Sequence, residues 1–364
     1  MQLERRANSP RLLLLAAPAL AVVATLLITS LLVAWAGAPV GRAYALLLDG
    51  GFGSRFAWTE TLTRATPLIL TGLAAAVAFK ARLYNIGGEG QLYAGAIAAV
   101  AVGGLHGGTG WAAPAWLLFP LMMLAAAAAG ALLLLGPALL KTRLGVDEVV
   151  TTLLLNFIVL LMVSALLDGP MKDPTAMGWP QSVAIADDLQ LGKLIARSRV
   201  HTGLLWALVL AGALWGLLSR TTTGFEIQAV GANARAAAFA GMPVRWVTVK
   251  VALISGALAG LAGAIEVAGR AGYVTLDMSP GYGSSGVVIA MLAALNPLGV
   301  VAAAIFVAGI LVGADSMGRA VGVPTYIADV IVAVSLVTML IATLLTQYRI
   351  VWPARRSAGA AGNP

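Results

Sequence analysis

The sequence predicts an all-α polytopic membrane protein of about ten transmembrane helices, in two interrupted halves that form an inverted repeat. Three observations carry this. Of the 364 residues, 60% are hydrophobic and 10% charged; a soluble domain carries roughly 25% charged residues, so this chain cannot furnish a water-facing surface. Apolar runs recur along the whole chain, at the length of about 20 residues that crosses a bilayer core. Finally, a glycine-broken polar stretch occupies a similar place in each half, as where two structural repeats meet. The two stretches do not match letter by letter, so the repeat rests on position alone.

Taken in order, the predicted spans are 12–35, 59–79, 84–105, 113–140, 146–167, 202–218, 246–268, 284–295, 299–317 and 326–346. The first follows Arg5, Arg6 and Arg11 and begins like a secretory leader, but its apolar run outlasts a leader's core; it is read as a retained helix. The third and eighth are rich in small residues, and the eighth is short for a crossing. Residues 1–11 form a cytoplasmic N-terminal segment, 12–348 the transmembrane domain and 349–364 a cytoplasmic tail, small-residue and disordered from Ala354 on.

Orientation follows from the basic residues, which concentrate in cytoplasmic loops. With the N-terminus inside, the cytoplasmic segments hold Arg5, Arg6, Arg11, Lys80, Arg82, Lys141, Arg143, Arg220, Arg235, Arg245, Lys250, Arg349, Arg355 and Arg356, or 14 of 23. Four more lie in one long external loop, 168–201, where charge counts for less. Both termini are therefore expected in the cytoplasm, and an even number of spans agrees. The external loop contains Pro170, Pro174 and Pro180 and then a mixed stretch, 187–199, read as a short surface helix. The internal segment 220–245 is read as two short helices on the cytoplasmic face. Gly224 and Gly231 are taken as turns, Asn233 as a cap and Gly241 as a terminator.

The formal charge of +8 reflects this orientation and gives no ground for a nucleic-acid partner. There is no cysteine, and the two histidines, His106 and His201, are far apart, so no metal site is expected. No GxxxxGK[ST] phosphate loop, HExxH or GxSxG occurs, so energy for active transport would have to come from a partner or an ion gradient.

Four stretches could carry function. Asn85-Ile86-Gly87-Gly88-Glu89-Gly90-Gln91 gathers three glycines, two amides and a carboxylate beside a span. Broken helices are tolerated in a membrane only where they are buried in protein or line a cavity, and an ionisable residue there is functional by default; the plainer reading is that Glu89 caps a helix at the interface. Gly281-Tyr282-Gly283-Ser284-Ser285-Gly286 is the counterpart in the second half, or else an ordinary loop. Ser255–Gly263 spaces small residues for close helix packing, with Glu266 following as a weaker pore candidate. Asp147-Glu148 reads as a helix cap, and Asn156, mid-span, as a bond to a neighbouring helix.

NIGGEGQ, GVDEVVTTLLLNFI, TTTGFEIQAVGANARAAAFAGMPV, ISGALAGLAGAIEV and GYGSSGVVIAMLAALNPLG occur in this order between about residues 60 and 345. Together they resemble the permeases of bacterial ATP-binding-cassette (ABC) importers for nucleosides and simple sugars, relatives of the ribose and branched-chain amino acid permeases. The resemblance implies a half-transporter of the cytoplasmic (inner) membrane, with no catalysis of its own. It would work with a second related permease, a substrate-binding lipoprotein or periplasmic protein, and a cytoplasmic ATPase that brings ATP and Mg. It also implies that Gly224, Glu226, Gly231, Asn233, Arg235 and Gly241 lie in the segment that docks on the ATPase. The chain departs from the family pattern at Gln228, Gly87-Gly88 and Asp147, which leaves substrate identity open.

The expected substrate path is lined by Asn85, Glu89, Gln91, Asn156 and Tyr282, whose amides, carboxylate and ring suit hydroxyls and bases. Two rivals stay open. An ion-coupled secondary transporter could use Glu89, Glu266 and Asp315 but leaves 220–245 without a role. A membrane enzyme would need an acid or histidine cluster that cannot be assembled.

Overall fold

The structure, a computed structural model, describes residues 2–5, 11–104, 114–322, 348–351 and scattered positions between 326 and 342. Twelve α-helices run through them in chain order: α1 Arg11–Trp35, α2 Val40–Phe52, α3 Arg55–Lys80, α4 Gly88–Gly103, α5 Ala115–Leu144, α6 Glu148–Asp168, α7 Gly203–Arg220, α8 Thr222–Ala232, α9 Ala234–Phe239, α10 Val244–Glu266, α11 Tyr282–Leu292 and α12 Pro297–Val321. One antiparallel ribbon, β1 Gln2–Arg5 with β2 Tyr348–Val351, pairs the two ends of the described chain.

Six of these helices (α3, α5, α6, α7, α10 and α12) are long and apolar enough to cross a membrane, or seven spans if α1 and α2, bent by 115°, count as one. Among the described residues the expected count of ten is therefore not reached by length. Two of the predicted spans, 84–105 and 284–295, are the short helices α4 and α11, because the first begins with non-helical chain and the second loses its helix after Leu292. The tenth, 326–346, lies largely outside the described residues, as do His106 and the tail from Ala354. Helix α2 lies between the first two predicted spans, where the sequence reading placed no helix. The stretch 187–199 forms one 3₁₀ turn at Asp187–Leu189 rather than a surface helix, because its backbone bonds elsewhere: Leu191 N–H donates to the Ala268 carbonyl (2.8 Å) and Leu194 N–H to Val200 (2.8 Å).

Burial separates core from periphery. The most apolar window of α3 is 83% buried within the protein, whereas that of α6 is 17% buried. In lipid this difference reports protein contact, since apolar side chains gain little by leaving lipid for one another. The core is consequently built on small residues that let backbones approach. A Cβ on Gly256 or Gly260 of α10 would strike the backbone of Gly130 or Ala126 in α5, and one on Gly263 would strike that of Leu92 in α4. The packing reading of Ser255–Gly263 holds. Helix α12 meets α2 in the same way, with Gly313 against the Leu47 carbonyl.

Two helix–break–helix units emerge. Helix α3 ends at Lys80, where α8 packs against it through Gly231, so α3 ends on the face where α10 begins. The two long helices thus run in opposite directions, and each is followed by a break and a short helix, α4 or α11. On the opposite face, residues 169–202 lie over the end of α10. Ser182 N–H donates to Val274 (3.0 Å) and Ile185 N–H to Gly272 (2.8 Å), while Arg199 pairs with Glu60 of α3 at 3.7 Å. His201 closes this strap. Its Nδ1 accepts from Gly203 N–H at 3.2 Å, and burial pushes its pKa down to about 4.

Gly260→Leu is expected to cost at least the ~1–3 kcal/mol of an overpacked core, because a backbone stands in the way. Gly136→Leu, whose Cβ meets nothing within 4 Å, should stay near wild type; thermal unfolding in detergent compares them. A depressed histidine pKa stabilises the fold fully above the unfolded value of about 6.5 and loses that contribution as pH falls through the folded one. The 169–202 strap should therefore loosen between about pH 6.5 and 4, seen as faster amide exchange at Gly203, and His201→Asn should remove the dependence.

Candidate functional site

The first break, residues 81–87, leaves helical geometry at Arg82, a non-glycine residue with φ 53°. Backbone groups freed inside a membrane must be paired internally, and here α6 does much of it with side chains. Glu148 accepts from Tyr84 N–H (3.2 Å) and pairs with Lys141. Thr152 Oγ1 accepts from Ile86 N–H at 3.3 Å. Asn156 donates to the Ile86 carbonyl (3.0 Å) and accepts from Gly90 N–H (2.8 Å). Asp147 caps α6 through Val149 N–H. The reading of Asn156 as a bond to a neighbour and of Asp147 as a cap is what the geometry shows.

Asn85 and Gln91 face each other and bond reciprocally, Asn85 Nδ2 to Gln91 Oε1 at 2.9 Å and Gln91 Nε2 to Asn85 Oδ1 at 2.8 Å. Asn85 also accepts from Gly87 N–H (3.0 Å) and donates to Ser255 (3.1 Å), which donates onward to the Ala74 carbonyl (2.8 Å). Both amides are buried. They splice α3, α4 and α10 together at the break.

The two broken segments, far apart in sequence, meet. Gly88 lies so close to Gly283 that a Cβ on Gly283 would strike the Gly88–Glu89 peptide. Glu89 Oε2 accepts from Gly283 N–H at 2.6 Å. The carboxylate thus sits in the first turn of α4 and against the first turn of α11, where the exposed N–H groups and the positive ends of both helix dipoles favour it. Around this contact, Thr71 of α3 donates to the Tyr282 carbonyl (2.9 Å), and Tyr93 of α4 donates to Leu276 (2.5 Å) while accepting from Ser279 N–H (3.3 Å). Tyr282 is 1% exposed, and its hydroxyl has no partner.

The segment 220–245 forms α8 and α9 on the face where α3 ends. Asn233 caps α9, accepting from Arg235 N–H (3.0 Å) and Ala236 N–H (3.1 Å), and Gly241 terminates it with φ 81°. Gly224 and Gly231 are not turns; both lie within α8. Their role is close approach, Gly224 to the Leu217 carbonyl and Gly231 to that of Lys80. Glu226 pairs with Lys250 of α10 at 3.8 Å. A cavity of about 410 Å³ separates α8 from the first break and the end of α11, lined by Lys80, Arg82, Gln228, Gly231, Met291 and Leu295.

Two further ion pairs are Arg64 with Asp315 at 2.5 Å and Arg270 with Glu266 at 2.7 Å. Of the four, Arg64 and Arg270 escaped the sequence reading. Arg64 was legible as a lone charge inside a predicted span, the sign of function that applied to Glu89. Arg270 stood two residues past a predicted boundary. Among the described residues no three His, Cys, Asp or Glu come together to hold a metal.

Residues 57–343 match the family described as branched-chain amino acid transport system / permease component. The guanosine ABC transporter permease protein NupP of Bacillus subtilis (strain 168) is 37% identical over 89% of this chain and 92% of its own length. The glucose ABC transporter permease protein TsgB13 of Haloferax volcanii is 37% identical over 96% and 93%. The nucleoside ABC transporter permease protein NupB of Lactococcus lactis subsp. cremoris is 30% identical over 80% of each.

Glu89→Ala should destabilise the protein by about 1–3 kcal/mol, the penalty for a buried donor left unpaired, and Glu89→Gln, which keeps an acceptor for Gly283, by less. Unfolding midpoints of the two purified variants check this order.

Proposed function

The chain belongs to the branched-chain amino acid transport permease-component family, as the multi-pass permease subunit of an ABC importer, and on that premise we propose that it carries nucleosides or related simple sugars. The names of the similar permeases from Bacillus subtilis, Lactococcus lactis and Haloferax volcanii support that substrate class. In this reading the chain performs no catalysis. A separate cytoplasmic ATPase binds ATP and Mg and supplies the energy. A second related permease completes the bundle, and a substrate-binding lipoprotein or periplasmic protein delivers the solute. The chain sits in a bacterial cytoplasmic membrane with both termini and the α8–α9 face inside.

The observation that carries the coupling part of this reading is the seat of α8. Gly231 rests on the Lys80 carbonyl at the end of α3, and eight residues later α4 begins, whose Glu89 holds α11. A push on α8–α9 by a closing ATPase would be delivered to the break at 81–87 and from there to the junction of the two halves, a rigid-body transition of packed helices. Glu226, tied to Lys250, fixes α8 to α10 as well. Asn233, Arg235 and Gly241 shape the protruding α9, where Phe239 is 96% exposed and free to enter a groove. Asn85, Gln91 and Asn156 would act on the path by holding its walls, with Glu89 and Tyr282 closest to its constriction. Ion-coupled transport gives α8 and α9 nothing to do and is not favoured.

Deleting the chain from cells that hold the rest of the system should abolish uptake of labelled guanosine, uridine or glucose; unchanged uptake of all three would refute the proposal. Gly231→Val should leave the protein in the membrane but lower uptake per ATP hydrolysed at least fivefold, because a branched side chain must lift α8 off α3. Coupled uptake measured in proteoliposomes decides it.

A further inference from the structure

Charges inside the membrane-crossing core need explaining, and four of them lie on α3, on α12 and at the end of α10. Arg64 lies in the ninth residue after Arg55, about 14 Å along α3 at about 1.5 Å per residue. It pairs with Asp315 of α12, and Arg270 with Glu266 at the end of α10. Thr71, two helical turns from Arg64 on the same face of α3, donates to the carbonyl of Tyr282, the first residue of α11, at 2.9 Å, and Arg64 and Arg270 both lie near enough to act electrostatically on Glu266 and Tyr282. The two ion pairs and the tyrosine are therefore one cluster, drawn from both halves of the chain.

The cluster is incompletely paired. Five buried side-chain polar atoms among the described residues lack a hydrogen-bond partner, and three of them belong here: Arg64 Nε, Glu266 Oε2 and Tyr282 OH. Glu266 is fully buried. Buried polar atoms are nearly always satisfied, and an orphan calls for an explanation such as an absent ligand or water. Three in one cluster, offering a donor, an acceptor and a hydroxyl that can be either, match the needs of ligand hydroxyls, each of which donates once and accepts. Two positive charges face two negative ones, so the cluster has no surplus charge with which to hold an anion or a cation. Access exists from one side. Arg270 also lines a cavity of about 360 Å³ on the face covered by the 169–202 strap, together with Arg199, Tyr273, Thr275 and Asp277.

We propose that Arg64, Glu266 and Tyr282 form a binding subsite for a neutral, polyhydroxylated solute, and that the Arg270–Glu266 pair closes it off from the outer cavity. The subsite rests on the reading of this chain as a nucleoside or sugar permease and places the solute at named atoms. Incoming hydroxyls take the free Nε–H of Arg64, the free oxygen of Glu266 and the Tyr282 hydroxyl. Arg270 swings toward the cavity to admit them. Because Tyr282 begins α11 and Glu89 binds the next residue, an occupied subsite reports directly to the junction between the halves.

The chain contains no cysteine, so a single introduced thiol is the only one in this chain and its labelling can be read on this subunit's band alone. The test uses the complete transporter in proteoliposomes with labelled guanosine, uridine and glucose. If the wild type takes up none of them, the substrate class falls, and this subsite with it. If it takes up one, Tyr282→Phe and Arg64→Lys should lower that uptake at least tenfold at equal amounts of assembled complex. Ser285→Cys, one helical turn from Tyr282, should react with N-ethylmaleimide at least threefold more slowly when the transported solute is present. A purely structural role for the cluster would lower uptake without protecting the thiol. Uptake in both variants within twofold of wild type, or equal labelling of Ser285→Cys with and without solute, overturns the proposal. Should Tyr282→Phe or Arg64→Lys fail to assemble, the protection measured on Ser285→Cys decides alone.

Discussion

Two interrupted helices leave backbone N–H and C=O groups that lipid cannot satisfy, and the centre of this protein is organised around where those groups find partners. At the first break the partners are side chains of α6, with Glu148, Thr152 and Asn156 each taking a backbone group between Tyr84 and Gly90. At the second, Glu89 accepts from Gly283, so the repair of one break is supplied from the other. The consequence is mechanical. Neither broken segment can shift without uncovering a polar group, and the two halves are bound to move together or to exchange one set of partners for another.

Close packing supplies the rigid frame in which this exchange can happen. Helices α4, α5 and α10 touch through glycines, where backbone meets backbone. Such contacts are short and numerous in dispersion but carry no long side chains that could absorb a displacement. Under the proposed coupling, motion imposed at α8 would therefore be passed along α3 and α10 instead of being dissipated in the bundle. The same argument separates the glycines by role. Gly241 is a glycine for its left-handed backbone, and Gly231 is one because the Lys80 carbonyl occupies the space a side chain would need.

The site residues named from sequence divide once their partners are known. Asn85, Gln91 and Asn156 spend their hydrogen-bonding capacity on the protein itself, so their contribution to a path is to its walls. Glu89 spends one oxygen on Gly283 and stays half-buried at the junction. Tyr282 keeps an unspent hydroxyl. The ion pairs tie Glu266 and Asp315, which the sequence reading weighed as single acids, to Arg64 and Arg270, the two partners it left unnamed.

The sequence by itself determined that the chain is a helical membrane protein, where most of its long helices lie, that a helix is interrupted beside each of the stretches 85–91 and 281–286, and that Asn233 and Gly241 bound a short helix. These follow from local chemistry: apolar run length, the scarcity of charge, and the conformational preferences of Asn and Gly. Only the tertiary structure decided that the two interruptions touch and that Gly231 lies inside a helix. It alone showed that Asn85 and Gln91 satisfy each other, and that Arg64, Glu266, Arg270 and Asp315 converge. Each of those depends on contacts between residues up to about 250 positions apart, as for Arg64 with Asp315, and a hydrogen-bond partner that distant leaves no trace in the spacing of its neighbours. The bend between α1 and α2 belongs with them, since nothing local in the predicted loop after residue 35 signals a helix that exists to pack its glycines against α12.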